Sequence, residues 1–232
     1  MRGMVSFCRL DTARRGRHSS SQLMSEFKPL PQSFYAPTAD LVAPNLLGHW
    51  LVRNTPKGPC GGPIVEVEAY VTGDPAAHSF IGMTSRNKVM WGPPGHAYVY
   101  LIYGYHWCVN AVCLPEGNAE AALIRALEPM VGEDFMHEQR PVADHRHLTN
   151  GPAKLCKALM INRALDGVDL CNAKSPLFIA RNPSLETFLG QRGPLVTTTR
   201  IGITKAAERP LRFYLEASPF VSRRVSRKRR GT

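Results

Sequence analysis

The sequence predicts an α+β fold: a single domain with a mainly antiparallel twisted sheet, surrounding helices and a protruding β-hairpin. Three observations carry that expectation. Short apolar runs closed by turn residues outnumber helical patterns. Strands and helices do not alternate as βαβ units, and no internal repeat is present. With 232 residues, 44% of them hydrophobic, one sizeable core can be buried.

Taken in order, residues 40–48 read as a short helix stopped at Gly48, and 49–53 as a strand. The stretch Pro63-Ile64-Val65-Glu66-Val67-Glu68-Ala69-Tyr70-Val71 alternates with period two. Val65, Val67, Ala69 and Val71 fall on one face, and Glu66, Glu68 and Tyr70 share the other. In isolation that acidic side reads as a solvated strand face. Residues 72–96 are rich in Gly, Pro, Asp and Asn and form a long ordered loop of the kind that carries function. They contain Ala76-Ala77-His78-Ser79 and Thr84-Ser85-Arg86-Asn87. Residues 97–103 and 107–114 then make a hairpin with Tyr98, Tyr100, Tyr103, Tyr105 and Trp107. Cross-strand packing accounts for some of these rings, but a tip bearing Tyr103, Tyr105 and His106 faces solvent, where aromatic faces suit stacking on nucleobases.

Residues 121–129 read as a buried strand ended by Pro129, with Arg125 a lone charge that requires either an internal carboxylate or a substrate phosphate. After a helix over 132–139, Asp144-His145-Arg146-His147 lacks a third ligand at metal spacing and reads as a solvated loop. Asn150-Gly151-Pro152-Ala153-Lys154 opens a helix whose amides, with Lys154, offer a phosphate site; an ordinary capped amphipathic helix is the alternative. Strand-like runs follow at 175–180, 196–204 and 211–216.

The net charge of +11 lies at the ends. Residues 1–23 carry a net +4 and residues 223–232 a net +6, whereas 24–220 carry only +1. The chain therefore divides into a disordered basic arm (1–23), a folded domain (24–222) and a disordered basic tail (223–232). Such arms suit a polyanion, nucleic acid foremost, with a solubilising tail the plainer alternative. No run of 18 apolar residues and no secretory apolar segment occurs, so an intracellular protein with no membrane partner is expected. Six scattered cysteines with no CxxC pair read as reduced thiols, and neither a metal nor another cofactor is expected.

Five ordered motifs carry a family resemblance. They are Val65-Glu66-Val67-Glu68-Ala69-Tyr70, Ala76-Ala77-His78-Ser79, Tyr98-Val99-Tyr100-Leu101-Ile102-Tyr103-Gly104, Arg125-Ala126-Leu127-Glu128-Pro129 and Gly151-Pro152-Ala153-Lys154-Leu155. Together with Pro210-Leu211-Arg212-Phe213-Tyr214, the chain resembles the alkyladenine (3-methyladenine) DNA glycosylase family over about residues 35–222. The resemblance implies a monomer that hydrolyses the N-glycosidic bond of a damaged, alkylated or deaminated purine in double-stranded DNA. Glu68 would be the general base; Tyr70, His78 and Tyr100 would hold the flipped base; Asn110 would disfavour guanine; and Arg125 would line the site. Tyr103 would fill the vacated stack, with Lys154 and Arg86 as DNA contacts. No lysine near Glu68 can form a Schiff base, so no lyase step is expected.

Two rival readings keep parts of this pattern. A nucleic-acid-binding module would need the hairpin and tails but not Glu68, and a metal-dependent hydrolase would use Glu66, Glu68 and scattered histidines. The hairpin itself carries a geometric expectation. A three-residue loop of Gly104, Tyr105 and His106 would pair Tyr103 with Trp107 and set Tyr100 directly across from Asn110, on one face.

Overall fold

The computed structural model describes residues 27–224. The arm expected at 1–23 and the tail from residue 225 onward lie outside the described residues. Eight strands are present among them: β1 (Trp50–Thr55), β2 (Gly58–Tyr70), β3 (Ala97–Ile102), β4 (His106–Cys113), β5 (Glu120–Leu127), β6 (Leu177–Ala180), β7 (Leu195–Thr198) and β8 (Arg212–Leu215). Four α-helices accompany them: α1 (Ala39–Leu46), α2 (Glu133–Gln139), α3 (Pro152–Ala158) and α4 (Leu185–Arg192). All strand pairings are antiparallel, in the order β3-β4-β5-β2-β1-β6, with β8 joining β2 and β7 joining β8. No helix among the described residues is long and apolar enough to cross a membrane.

The 13-residue strand β2 is the axis of this sheet. Its first half pairs with β1, while its second half lies between β5 and β8. Register shifts between Ile64 and Glu66 and between Glu66 and Val67 mark bulges on either side of Glu66, at the start of the acidic stretch. The sequence expectation began this strand at Pro63, whereas the strand starts at Gly58 and takes in Pro59, Gly61 and Gly62. The structure shows why glycines sit there. A Cβ on Gly61 would lie 1.9 Å from the Leu51 carbonyl oxygen, and one on Gly62 would lie 1.8 Å from that of Glu128. Backbone crosses backbone at this point, and Gly61 closes it by accepting from the amides of Met130 and Val131.

Strand parity separates two faces of the sheet. Val65, Val67, Ala69, Val99, Val109, Ala111, Ala122 and Ile124 belong to the main core, together with apolar residues of α1 and α3. Helix α1 packs on β2 and β5, and α3 on β4 and β5. The other face carries a smaller cluster built on Met90, Tyr98, Tyr100, Cys108, Ala121 and Leu123. Where β2 lies between β5 and β8 the sheet is covered on both sides, and Glu66 and Glu68 are accordingly 0% exposed. The plain reading of the acidic stretch as a solvated face is therefore overturned.

Three further differences have local causes. Helix α4 was not anticipated, since Leu185-Glu186-Thr187-Phe188-Leu189-Gly190-Gln191-Arg192 buries only Phe188 and has a weak apolar stripe. The strand expected over 196–204 stops at Thr198, and the chain turns so that Arg200 is buried against Asp74. In the hairpin, Ile102 pairs with His106, so the three-residue loop is Tyr103-Gly104-Tyr105, one position earlier than expected. Tyr100 faces Cys108, and Asn110 faces Tyr98. Tyr103 and Gly104 both adopt positive φ, 54° and 77°, and the Tyr105 amide donates to the Ile102 carbonyl at 3.4 Å. A left-handed tyrosine is uncommon, which is why the sequence does not announce the turn. Tyr100 and Asn110 still share a face, because Tyr98 lies two residues from one and opposite the other.

The glycine crossing makes a stability prediction. Gly62→Ala must displace backbone and is expected to lower unfolding free energy by about 3 kcal/mol or more. Gly73→Ala, at φ 72° with nothing within 4 Å of the added carbon, is expected to cost about 1 kcal/mol. Denaturant unfolding of the two variants checks the contrast.

Candidate active site

The sheet face opposite the main core floors a cavity of about 390 Å³. Its polar and aromatic lining comes from alternate residues of four adjacent strands: Glu68 and Tyr70 of β2, Tyr98 and Tyr100 of β3, Cys108 and Asn110 of β4, and Leu123 and Arg125 of β5. The loop after β2 adds Ala76, His78 and Met90, while the hairpin tip adds Tyr103 and His106. Pro152 and Ala153 of α3 and the turn Ile201-Gly202-Ile203 complete it. Seven of the sequence-predicted residues thus meet in one cavity: Glu68, Tyr70, His78, Tyr100, Tyr103, Asn110 and Arg125. Lys154 does not reach it and donates instead to Asn150 Oδ1 at 2.8 Å. Arg86 lies at its edge, donating to the Leu101 carbonyl at 2.7 Å with its guanidinium 5.6 Å from the Tyr100 ring.

Glu68 is held by donors from three separate segments. The Ile201 amide donates to its Oε1 at 2.8 Å, Arg125 lies 3.1 Å from the same oxygen, and the Tyr70 hydroxyl donates to Oε2 at 3.0 Å. Arg125 bridges to Glu66 through Nε at 2.8 Å. Its partner is therefore an internal pair of carboxylates, the plainer of the two expectations. Glu66 also accepts from Arg212 Nε at 2.8 Å and from the Ser222 amide at 2.6 Å. Burial alone would raise the Glu66 pKa, but Arg125, Arg212 and the Ser222 amide together hold it below the ordinary carboxylate range. Burial likewise opposes the charge on Arg125, and Glu68 and Glu66 more than offset this, so its pKa is raised.

The aromatic walls are fixed to one another. Tyr98 and Tyr100 stack at 5.3 Å between ring centroids, and His78 meets the Tyr100 ring edge-on at 4.4 Å. His78 Nδ1 hydrogen-bonds the Tyr98 hydroxyl at 2.9 Å. Partial burial of its ring, then the neighbouring Arg86 cation, lower the His78 pKa, which keeps the imidazole neutral near neutral pH. Burial pushes Tyr98 up to about 12 and raises Tyr70 and Tyr100 further, so all three phenols keep their protons. The Asn110 amide is 3% exposed and donates to the Tyr98 carbonyl at 3.0 Å, which pins its orientation.

Sequence reasoning missed Tyr98, Cys108 and the Ile201 turn. Strand parity with Tyr100 and Asn110 could have found the first two. The turn could not be found so, because it reaches Glu68 from 133 residues away. It is anchored by Arg200, which bonds both oxygens of Asp74, donates to the Ala69 carbonyl at 3.1 Å and lies 4.7 Å over the Tyr70 ring.

Removing one member of the buried network leaves the others unpaired. Glu66→Gln is expected to cost about 3–5 kcal/mol at neutral pH. Because the folded-state pKa of Glu66 lies below its unfolded value near 4.5, the stabilisation is present above that value and is lost as pH falls toward the folded pKa. Wild-type stability should therefore drop below about pH 4.5 more steeply than that of Glu66→Gln, as measured by denaturant midpoints across pH.

Comparison with known proteins shows the family. Residues 33–219 match the family model described as methylpurine-DNA glycosylase. A protein of Methanoculleus marisnigri carrying the provisional name 3-methyladenine DNA glycosylase is 52% identical over 195 residues, covering 84% of this chain and 99% of its own length. A protein of the same provisional name from Rhodopseudomonas palustris is 49% identical, covering 84% of this chain and 90% of its own length. Another from Carboxydothermus hydrogenoformans is 45% identical, with 84% and 99% covered. The matched span contains every strand and helix described above, and on this ground the chain belongs to the methylpurine-DNA glycosylase family and is a DNA glycosylase, an N-glycosyl hydrolase.

Proposed function

We propose that the cavity receives a damaged purine turned out of duplex DNA, and that Glu68 activates the water that displaces it. The observation that carries this reading is the position of Glu68: a carboxylate set in the wall of an aromatic cavity large enough to admit a nucleobase, its oxygens aligned by Arg125, Tyr70 and the Ile201 amide. Water loses a proton to Glu68 as its oxygen bonds to the sugar C1′, and the bonding pair of the N-glycosidic bond leaves with the base. A purine alkylated at a ring nitrogen carries a positive charge and departs neutral, so it requires little help as a leaving group. The faces of Tyr70 and Tyr100 favour such a cation, and a neutral His78 does not repel it.

The remaining assignments are those the family resemblance implies, and their positions are compatible with them. Tyr100 and His78 would sandwich and edge the base. Asn110, unable to swing because of its bond to Tyr98, would obstruct the 2-amino group of guanine. Tyr103, 71% exposed at the hairpin tip, would enter the gap left in the duplex. Arg86 and Lys154 would meet phosphates beside the site. Deaminated purines, which lack the charge, would depend more on wall contacts and on Glu68. The enzyme is proposed to act as a monomer.

Replacing the general base should cost stability, as for any member of the buried network, but in the folded enzyme it should slow the chemical step rather than duplex binding. Glu68→Gln is expected to reduce single-turnover release of base from alkylated duplex by about 10²- to 10⁴-fold or more while leaving affinity for the duplex nearly unchanged. A loss confined to binding would refute the role. Release that persists in excess chelator would dispose of a metal-dependent hydrolase.

The basic ends are proposed to add affinity without specificity. Deleting residues 1–23 and 223–232 is expected to weaken duplex binding at low salt, flatten its salt dependence and leave single-turnover excision intact. Binding measured across a salt series, beside the excision rate, checks this.

A further inference from the structure

The loop between His78 and Arg86 presents three large apolar side chains to solvent: Phe80 at 51%, Ile81 at 81% and Met83 at 61% exposure. Nothing among the described residues covers them, yet the loop beneath is firmly built. Asn87, 2% exposed, donates to the carbonyls of His78 at 2.9 Å and Gly82 at 3.0 Å and accepts from the Thr84 amide at 2.7 Å. Ser79 Oγ ties the loop to the Ala119 carbonyl at 2.8 Å, and the Gly82 amide closes a turn on the Ser79 carbonyl at 2.9 Å. A rigid loop that holds apolar groups in water marks a contact surface.

Its two ends say what it contacts. His78 lines the cavity, and Arg86 is fastened to β3 above Tyr100, so the apolar tip projects from the cavity rim. No acidic residue occurs between Asp74 and Glu116, a span that contains Arg86, Lys88, His78 and His106 together with the whole hairpin tip. That composition suits a polyanion and suits no basic partner. We propose that Phe80, Ile81 and Met83 form a second, apolar contact with duplex DNA, packing on sugar and base edges next to the extruded nucleotide while Arg86 and Lys88 meet the adjoining phosphates. The inference rests on the cavity taking its base from duplex DNA. It adds a grip on the flanking duplex that is separate from the Tyr103 wedge.

The test uses the full chain and a short duplex carrying a tetrahydrofuran abasic-site analogue, with affinity measured by fluorescence anisotropy across a salt series. Combined Phe80→Ser, Ile81→Ser and Met83→Ser substitution is expected to weaken binding by about tenfold with no change in the slope of log affinity against log salt, because no phosphate contact is lost. Ile81→Ser alone, at the most exposed position, gives a smaller loss in the same direction without any demand on folding. Arg86→Ala should instead lower the slope by about one. Unchanged affinity in the triple variant overturns the proposal, as does a changed slope. So does wild-type self-association in sedimentation that the triple variant loses while its DNA affinity stays. Base release from alkylated duplex by the wild type is scored separately: its absence would sink the excision reading, whereas the serine variants report on the loop alone.

Discussion

Charge taken out of water is the constraint on which this structure depends. Glu66, Glu68, Asp74, Arg125, Arg200 and Arg212 are all nearly or wholly buried, three acids balanced by three arginines along and beside β2. An isolated buried charge costs several kcal/mol, so each requires a partner with good geometry. The pairing is shared rather than pairwise: Arg125 serves both glutamates, Glu66 serves two arginines, and Arg200 spans Asp74 and two backbone carbonyls. Bulges in β2 and β5 around Glu66 and Arg125 are the backbone's accommodation to that sharing.

Because the network is neutral as a whole, its members can border the cavity without fixing a strong local charge there. Glu66 carries the structural burden, with four donors on its two oxygens. Glu68, one strand period away, shares Arg125 but turns toward the cavity. Two carboxylates with the same parity thus divide into one enclosed by four donors and one that lines the cavity, and the division comes from what surrounds each rather than from the strand pattern.

How much of this was legible in the sequence follows from the range of the interactions involved. Period-two alternation placed Glu66, Glu68 and Tyr70 on one face, and turn residues delimited the loop over 72–96. The hairpin's even parity, which puts Tyr100 and Asn110 on one side, was also legible. The solvent state of that face was not, because the covering segments are remote: Ile201 and Ser222 approach from 133 and 156 residues away. Nor was the exact turn, since two consecutive left-handed residues, one a tyrosine, run against local preference. The motif resemblance supplied the roles of residues; strand parity supplied only their company.

The same remoteness couples assembly to chemistry. Glu68 receives its donors from β2 itself, from β5 and from the turn after β7, so its geometry exists only once all three have docked. That turn is carried by Arg200, whose guanidinium is gripped by Asp74 at the opening of the long loop and lies on the Tyr70 ring. Asp74 therefore joins the long loop that lines the cavity to the centre of the sheet. An open cavity is not stabilised by side chains that fill it, and here the stabilisation lies within and beside its wall instead. Arg125 ties Glu68 to Glu66, and Arg200 lies against the Tyr70 ring, so the walls are set by buried ion pairs rather than by a filled interior.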